Sequence, residues 1–477
     1  MFYPDFKELK KLSRQGNLIP VYREILADME TPVSAFSKLG DTKNAYLLES
    51  VEGGEKQGRY SFLSTDINRV FKPGKDAKQS FLEIEKFMGH FKPVRVKGMP
   101  RFSGGLVGYV SYDMISCFEN LKTQNNDELK LPLYMLMLAG TTLIFDHVTR
   151  TIKVVSCVEA GNNGRELKRN YETACGKING IIRKLNRQKK ASAGKRKFAK
   201  SKPGSNFGKK EFEKAVTLAK AYIRSGDIIQ AVLSQRLRLK VGAAPFDVYR
   251  ALRLVNPSPY MYYLKLGSVV LAGSSPETLV RNEEGIVTVR PIAGTRRRGS
   301  DEAEDRRLEK GLLSDSKERA EHIMLVDLGR NDIGRVCEYG TVRVDKLMAV
   351  ERYSHVMHIV SEVTGKLRKN KNSFDVLRAC FPAGTVSGAP KIRAMEIIEE
   401  LENVKRGPYA GAVGYFGYQG NMDMAINIRA ILFKKGTAYV QAGAGIVADS
   451  VPEREYNETL NKGKAMMKAI EMAEEGL

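Results

Sequence analysis

Apolar and polar residues are arranged along this chain in two patterns, and each pattern predicts a different kind of element. Short apolar runs and period-two alternation, bounded by Gly, Asn and Asp, predict strands, whereas apolar spacings of three and four predict amphipathic helices. Both patterns recur on each side of one strongly basic segment. The alternation of strand runs with helices predicts an α/β (α+β) fold, with large layered β-sheets flanked by helices.

The strand-like runs share β-branched and aromatic enrichment, and they cover residues 45–51, 106–111, 141–145, 151–157, 228–240, 261–266, 268–272, 286–290, 357–364, 411–418, 423–433 and 437–442. The helical patterns cover residues 81–91, 164–185, 209–225 and 302–328, and a last helix begins near residue 452. Ser450, Pro452 and Glu453 form a predicted start signal for that last helix, with Ser450 and Glu453 as a capping box.

The basic segment divides the chain into an N-terminal region (1–182), a linker (183–208) and a C-terminal region (209–477). Between Arg183 and Lys210 there are 12 Lys and Arg residues and no Asp or Glu, mixed with Ser, Gly and Pro. Such a segment has little apolar surface to bury, so it is expected to be a solvated connector. Docking of an acidic partner and contact with nucleic acid remain alternatives.

The formal net charge of +23 suggests a second class of function, a basic nucleic-acid-binding protein. The segment from Arg183 to Lys210 alone supplies 12 of those charges, and it lacks interleaved aromatic residues and any recognised binding module. A nucleic-acid partner is therefore disfavoured.

Cysteine usage and hydropathy predict a cytoplasmic protein without a membrane contact. The five cysteines are scattered, with no Cys-x-x-Cys, which fits a reducing compartment. The N-terminus has no apolar signal segment, and the apolar run at 131–139 is far shorter than the roughly 20 residues of a membrane helix.

Two pairs of glutamates fall at helical spacing and form a candidate metal site. Glu455 and Glu458 share one helix face, and Glu318 and Glu321 share another. Solvated acidic faces would give the same spacing. Oxygen-only carboxylate clusters without cysteine favour a hard cation such as Mg²⁺.

Two further positions are ambiguous from local pattern alone. His358 shares a strand face with Val356 and Val360, which suits a satisfied core histidine as well as a catalytic one. Gly443 and Gly445 follow a strand in a Gly-Ala-Gly turn that resembles a dinucleotide fingerprint, but no helix opens directly after it. That turn can still bring backbone N–H groups close to a carboxylate.

Several long motifs occur in order along the chain: LLES (47–50), GRYSF (58–62), NPSPYMYYL (256–264), AGSSPE (272–277), RPIAGTRRRG (290–299), ERAEHIMLVDLGRNDIGRV (318–336), FPAGTVSGAPK (381–391), RGPYAGAVGYFGY (406–418), AINIRA (425–430) and QAGAGIVADSVPEREYNETLNK (441–462). Together they resemble the chorismate-utilising enzymes, and most closely the branch of anthranilate synthase component I, the large chorismate-binding subunit. The resemblance covers most of the chain outside the linker.

The resemblance implies that the C-terminal region binds chorismate with Mg²⁺, aminates C2 with loss of the C4 hydroxyl, and expels pyruvate. It implies Glu321 and Glu458 as Mg²⁺ ligands, with Glu455 close by. Glu277 matches the general acid for the departing hydroxyl, and His358 matches the histidine tied to pyruvate elimination. The positions that match the surroundings of the substrate carboxylates are Thr385, Tyr409, Arg429, Gly443 and Gly445.

Two departures from sister branches point to anthranilate synthase. The isochorismate branch has a water-activating Lys where this chain has Gln230, and the aminodeoxychorismate branch has a nucleophilic Lys where this chain has Ala293. Aminodeoxychorismate synthase component I stays an alternative. The two regions consume the whole length, so a separate glutamine amidotransferase subunit (component II) is expected to supply ammonia, for which free ammonia could substitute.

The resemblance also implies feedback inhibition by L-tryptophan. The LLES and NPSPYM motifs are expected to form one pocket, remote from chorismate, across the two regions. Its expected residues are Glu49, Ser50, Asn256, Pro257, Ser258, Tyr260 and Met261. Among these, Glu49 is expected to receive the inhibitor's ammonium group.

Overall fold

A computed structural model of the chain describes residues 1–39, 42–50, 58–187, 202–353 and 356–476. Most of the predicted linker, at 188–201, lies outside the described residues, as do His355 and the last residue of the predicted strand at 45–51. The expectation of a solvated linker therefore stays a prediction.

The described residues form twelve α-helices, whose bounds are α1 Phe6–Leu12, α2 Pro32–Leu39, α3 Ala77–Gly89, α4 Ile115–Phe118, α5 Gly164–Leu185, α6 Lys209–Arg224, α7 Pro245–Val255, α8 Glu302–Ser314, α9 Ser316–Gly334, α10 Ser373–Cys380, α11 Lys391–Leu401 and α12 Pro452–Glu475. Two short 3₁₀ turns lie at Tyr112–Met114 and Gly384–Val386. Asp76 and Asn163 begin α3 and α5 by accepting backbone N–H groups of the first turn.

Twenty strands join into a single sheet system, with bounds β1 Leu18–Leu26, β2 Asn44–Glu49, β3 Tyr60–Phe71, β4 Gly105–Val110, β5 Tyr134–Asp146, β6 Thr151–Glu159, β7 Gly204–Ser205, β8 Gln230–Lys240, β9 Tyr260–Leu266, β10 Val269–Ser275, β11 Thr278–Glu283, β12 Ile286–Val289, β13 Ile292–Arg297, β14 Arg343–Arg352, β15 Val356–Lys366, β16 Gly388–Ala389, β17 Ala412–Gly417, β18 Met422–Ile426, β19 Ala430–Lys434 and β20 Thr437–Ile446. This mixture of a large sheet with flanking helices confirms the predicted fold class.

Every strand pairing is antiparallel, and one path runs through the whole system. It passes β8–β20–β19–β10–β9–β2–β3–β5–β4–β17–β18–β11–β12–β15. Strands β13 and β14 pair with β15, and β6 and β1 extend from β5.

Strands from the two sides of the linker alternate in this path. Strand β2 pairs with β9 from Asn44–Leu266 to Glu49–Met261, and β4 pairs with β17 from Val110–Ala412 to Gly105–Gly417. Four strands of the N-terminal region are thus inserted between two groups of C-terminal strands. The division into functional regions stays a prediction, but their backbones share one hydrogen-bonded sheet.

Three local predictions differ from the structure. The helix expected at 302–328 is two helices, because Asp315 ends α8 and accepts the N–H groups of Lys317 and Glu318 to begin α9. The strand expected at 423–433 is split into β18 and β19.

The capping box predicted for the last helix is wrong. Val451 is the N-cap, and Ser450 Oγ accepts from Val447 N instead. The Glu453 carboxylate accepts from Lys209 Nζ at 2.7 Å, so it ties α12 to α6. No helix in the described ranges is long and apolar enough to cross a membrane.

Gly108 in β4 gives a test of the shared sheet. A Cβ atom there would lie 1.9 Å from the carbonyl oxygen of Met135 in β5, so Gly108→Ala requires the backbone to move. We expect a loss of about 1–3 kcal/mol in the free energy of unfolding, measured by urea denaturation.

Gly176→Ala is the matched control for this change. Gly176 lies on an exposed face of α5 with nothing within 4 Å of the added Cβ. Alanine there should stabilise the protein by about 0.5–1 kcal/mol. Equal stability of the two variants would contradict the close approach of β4 and β5.

Candidate active site

Glu277 lies in the tight connection between β10 and β11, where the sequence Ser275-Pro276 ends one strand. Thr385 Oγ1, from the 3₁₀ turn at Gly384–Val386, donates to Glu277 Oε1 at 2.9 Å. Burial raises the pKa of Glu277 to about 7, although the Thr385 hydroxyl and the charge of Lys462 oppose the shift. Near neutral pH this carboxyl group can therefore hold a proton and donate it.

Gly443 and Gly445 lie within β20 and pair with Ser234 and Val232 of β8, so the turn predicted after the strand at 437–442 is wrong. The two glycines allow side chains to approach the strand closely. A Cβ atom at Gly443 would lie 2.8 Å from Tyr409 Oη, and one at Gly445 would lie 2.5 Å from Gln230 Nε2. At Gly443 the added Cβ would also lie 2.9 Å from the carbonyl oxygen of Leu233, so glycine is required there, whereas at Gly445 it would displace the end of the Gln230 side chain. The strand continues to Ile446 and the next helix begins only at Pro452, so the fingerprint likeness has no structural counterpart.

Gln230 begins β8, and only 6% of its surface is exposed. Its amide hydrogen-bonds to the carboxylate of Glu321. Its Oε1 atom has no hydrogen-bond partner among the described residues. The side chain therefore presents an unused buried acceptor next to a carboxylate.

Glutamates from α9 and α12 surround one lysine. Lys462 Nζ donates to Glu458 Oε1 at 2.7 Å and to the carbonyl oxygen of Gly443 at 3.0 Å. Its charge also opposes the rise in pKa that burial causes in Glu277, Glu321 and Glu455. These three carboxylates and that of Glu458 therefore lie around the same ammonium group.

The carboxylates also repel one another. Burial, followed by the charge of Glu318, raises the pKa of Glu321, and burial together with the charge of Glu458 raises the pKa of Glu455. A cation placed between the two helices would relieve this repulsion.

The donor chemistry at this point fits Mg²⁺ that is completed by other ligands. Within the parts of the chain that the structure describes, no three His, Cys, Asp or Glu side chains converge closely enough to hold a metal by themselves. Mg²⁺ commonly takes only one or two carboxylates and fills its remaining positions with water and substrate oxygens. Glu321 and Glu458, from separate helices, supply such a pair.

His358 in β15 is held by the Gly294–Thr295 segment of β13. His358 Nδ1 lies 3.1 Å from the carbonyl oxygen of Gly294 and 3.1 Å from Thr295 Oγ1. A carbonyl oxygen only accepts, so Nδ1 carries the proton and Nε2 is left as the basic nitrogen. Burial lowers the pKa of His358, and the nearby charge of Arg429 lowers it further. Both effects favour a neutral imidazole.

Arg429 occupies the break between β18 and β19. Its backbone adopts φ = 53°, in the left-handed region that non-glycine residues rarely adopt. Its Nη1 lies 3.5 Å from the carbonyl oxygen of Lys462, and it interacts electrostatically with Tyr409, Glu458 and His358. The guanidinium group is therefore within the same cluster.

The structure thus brings together all the residues predicted for catalysis, substrate and metal: Gln230, Glu277, Glu321, His358, Thr385, Tyr409, Arg429, Gly443, Gly445, Glu455 and Glu458. Sequence reasoning missed Lys462. It follows Glu458 by four residues on one helix face, and that spacing was the available signal.

Sequence reasoning also missed the support behind Tyr409 and Thr385. The buried Arg406 guanidinium donates to Glu402, to the carbonyl oxygen of Val386 next to Thr385, and to that of Val232. It also lies 5.9 Å from the ring centre of Tyr409. These contacts fix the 3₁₀ turn and the tyrosine relative to β8.

A cavity with about 790 Å³ of empty space, part of it open to solvent, lies where β2 meets β9, and we call it the junction cavity. Its walls include Glu49, Ser50, Tyr260 and Met261 from the predicted pocket, and also the unpredicted residues Leu48, Tyr60, Phe62, Arg101, Pro259, Tyr262, Pro276, Thr278, Arg281, Arg290, Ile292, Tyr353, Val413, Gly414, Tyr415, Asp423 and Ala425. Aromatic side chains and arginines from both sides of the linker thus enclose it.

Three predicted pocket residues, Asn256, Pro257 and Ser258, are not among the lining residues of this cavity. Asn256 Nδ2 instead donates to Ser274 Oγ at 2.6 Å in β10, so it supports the strand that leads to Glu277. The proline that does line the cavity is Pro259. Motif matching could not tell which face of the loop each residue occupies.

The Glu49 carboxylate is already engaged. It accepts from Tyr249 Oη at 2.5 Å and from Arg253 Nη2 at 3.2 Å. Glu49 therefore lines the cavity as half of an ion pair, not as a lone carboxylate awaiting an ammonium group.

Comparisons with known proteins agree with this geometry. The family model of chorismate binding enzymes matches residues 43–468. Anthranilate synthase component 1 of Acetivibrio thermocellus is 50% identical to this chain, and the match covers 100% of each of the two chains.

Two solved structures are similar to this chain. Anthranilate synthase component I of Streptococcus pneumoniae TIGR4 has a TM-score of 0.77 and 38% identity, and the match covers 93% of this chain and 98% of that one. The menaquinone-specific isochorismate synthase of Escherichia coli has a TM-score of 0.73 over 97% of this chain and 98% of that one. At 19% identity it shares the fold alone.

Proposed function

The chain belongs to the family of chorismate-binding enzymes, and we propose that it converts chorismate and ammonia to anthranilate and pyruvate, the reaction of an anthranilate synthase component 1. This is the first step of a tryptophan-forming route. The ammonia comes from glutamine through a separate amidotransferase subunit, a partner that the name "component 1" of the relatives implies.

Gln230 is the residue that favours this reaction over the other reactions of chorismate. Its buried Oε1 is an acceptor without a partner in the described structure, so it can receive an N–H of ammonia. A neutral amide cannot remove a proton from water, but ammonia is a nucleophile without that help. Ala293 likewise offers no amine for a covalent route, which disfavours aminodeoxychorismate synthesis.

Glu277 supplies the proton in the first step. Its raised pKa keeps the carboxyl group protonated until about neutral pH, and Thr385 holds one of its oxygens. Ammonia bonds to C2 of chorismate, the C4–O bond breaks, and the C4 hydroxyl leaves as water with the proton from Glu277. Glu277 is left as a carboxylate that Thr385 and Lys462 stabilise.

His358 serves the second step. Its Nε2 is the basic nitrogen, because Nδ1 is committed to the Gly294 carbonyl. It takes the C2 proton while the bond between ring C3 and the enolpyruvyl oxygen breaks, and the ring becomes aromatic. The released enolpyruvate takes up a proton at its methylene carbon and becomes pyruvate. Arg429 and Tyr409 hold the substrate carboxylates during both steps.

Glu321 and Glu458 would hold Mg²⁺, with Glu455 close by. When bound, the metal neutralises part of the negative charge of a dianionic substrate that the glutamates alone would repel. Lys462 offers a second positive charge to the same region.

The reaction itself is the direct test. The purified chain with chorismate, Mg²⁺ and ammonium should form anthranilate, identified by fluorescence and mass, and equimolar pyruvate. Aminodeoxychorismate or isochorismate as the end product would contradict the proposal.

The metal contribution is tested in the same assay. EDTA should abolish turnover, and Glu458→Gln should lower it by about 10- to 100-fold or more at limiting Mg²⁺. Glu453→Gln is the matched control, because that helix residue pairs with Lys209 outside the cluster. It should keep the wild-type rate.

The pH profile should report Glu277. We expect kcat/KM to fall as pH rises through about 7, because the carboxyl group then loses the proton that it must donate. Glu277→Gln should lower kcat by about 10²- to 10⁴-fold.

The fall in kcat/KM at high pH is the alkaline limb of the profile, and Thr385→Val tests whether Glu277 is its source. The Thr385 hydroxyl stabilises the carboxylate form, so its removal should raise the pKa of Glu277 and move the limb to higher pH. Thr385→Ser keeps the donor and should leave the limb in place. An unmoved limb in Thr385→Val would exclude Glu277 as its source.

The junction cavity is the site at which L-tryptophan inhibits the enzyme. Its aromatic walls suit an indole, and Arg101, Arg281 and Arg290 suit a carboxylate. The cavity is lined by both regions of the chain, so a ligand there can favour one packing of the regions over another.

Ser50→Arg tests this regulation. The larger side chain fills the cavity and contacts none of the catalytic residues, so the uninhibited rate should be largely kept. The tryptophan concentration for half-inhibition should rise by at least about tenfold, which corresponds to about 1.4 kcal/mol of binding free energy. Unchanged inhibition of Ser50→Arg, or no inhibition of the wild type, would reject the regulatory site.

A further inference from the structure

A three-residue cluster, Arg290, Glu351 and Tyr353, lies between the junction cavity and the active site. Arg290 and Tyr353 both line the cavity. Arg290 Nη2 donates to Glu351 Oε1 at 2.6 Å, and Tyr353 Oη donates to Glu351 Oε2 at 3.0 Å. Glu351 therefore joins two residues of the cavity wall through its two oxygens.

The same cluster reaches His358 from the other side. Glu351 is the cross-strand partner of His358 in the β14–β15 ladder, and the Tyr353 ring lies 5.7 Å from the imidazole ring at an angle of 64°. Arg290 also lines a second cavity, of about 400 Å³, together with Glu277 and Thr385. The wall of the inhibitor cavity is thus also the wall of the catalytic region.

Arg290 has one N–H donor that is not used in a hydrogen bond among the described residues. Its side chain is 11% exposed, and its Nε has no hydrogen-bond partner among the described residues, since Glu362 Oε2 is 3.6 Å away. A carboxylate arriving in the cavity can therefore bind this guanidinium in competition with Glu351. A planar guanidinium binds two oxygens of one carboxylate best, so the competition is direct.

We propose that Arg290, Glu351 and Tyr353 form the coupling between the inhibitor cavity and the active site. A carboxylate ligand draws Arg290 away from Glu351, Glu351 and Tyr353 then shift together, and His358 loses its orientation. The inference rests on the proposed inhibition by tryptophan at the junction cavity. It assigns Glu351 a positioning role that acts through Tyr353 and His358.

The coupling predicts that binding and inhibition can be separated. Glu351→Gln keeps the shape but removes the charge that holds Arg290, so L-tryptophan should still bind, with a dissociation constant within about threefold of wild type by calorimetry. At saturating tryptophan the variant should keep more than about half of its own uninhibited rate, while the wild type loses most of its rate. Such a split is what a loss of coupling free energy produces.

Glu362→Gln is the matched control. Glu362 is the other acidic neighbour of Arg290, but it makes no hydrogen bond to it. This variant should bind tryptophan and be inhibited as the wild type is. Complete inhibition of Glu351→Gln at saturating tryptophan would overturn the coupling, as would relief of inhibition in Glu362→Gln equal to that in Glu351→Gln.

A second variant and a second measurement guard against misfolding. Tyr353→Phe keeps the ring against His358 and removes the hydroxyl that bonds to Glu351, so it should also be inhibited less than the wild type at saturating tryptophan. In the wild type, tryptophan should shift the imidazole NMR signal of His358, assigned by its loss in His358→Gln. The shift should be reduced in Glu351→Gln, and an undiminished shift there would contradict the proposal.

Failure of this inference differs from failure of the proposed regulation. If the wild type neither binds tryptophan nor is inhibited by it, the inhibitor site and the coupling both fall. If Ser50→Arg loses binding while Glu351→Gln binds and is fully inhibited, the inhibitor site stands and only the coupling falls.

Discussion

The antiparallel pairing of β2 with β9 and of β4 with β17 is the constraint on which the rest of the structure depends. It inserts strands from before the linker between strands from after it, so neither part can complete its sheet alone. The junction cavity arises at this join, with Ser50 on one side and Met261 on the other. Strand β9 leads directly into β10, whose end positions Glu277. Only the hairpin of β9 and β10 therefore lies between the join and Glu277, the proposed catalytic acid.

That short distance makes the cavity and the active site parts of one network. Tyr260 Oη lies 2.9 Å from Thr278 Oγ1 and donates to Asp423 at 2.8 Å, and Thr278 follows Glu277 directly. A ligand that moves Tyr260 acts on the residue next to the acid through one hydrogen bond. The proposed regulation therefore needs no long mechanical path, because antiparallel strands connect the two sites.

Much of this arrangement could be predicted from the sequence. Helix α5 begins and ends where periodicity places it, and β8, β9 and β20 lie within a few residues of their predicted bounds. The motif resemblance supplied Glu277 and Glu321 although neither carries a local signal for catalysis. Strands β1, β3, β11, β13 and β14 were missed, because their residues alternate weakly or carry charges that only tertiary partners satisfy. In β13, for example, Arg296 pairs with Asp315 and Glu318 of α9.

The features that pattern analysis could not supply are those set by long-range packing. Residues 423–433 carry no turn or breaker signal and predict one strand, yet the strand breaks where Arg429 adopts a left-handed backbone. That conformation costs on the order of 1–3 kcal/mol at a non-glycine residue. The surrounding structure offsets this cost, since Ser274 N donates to the carbonyl oxygen of Arg429 at 3.1 Å. The break turns the guanidinium towards Lys462 and His358. Local propensity fails at this residue because its conformation is determined by long-range packing, which no short stretch of sequence contains.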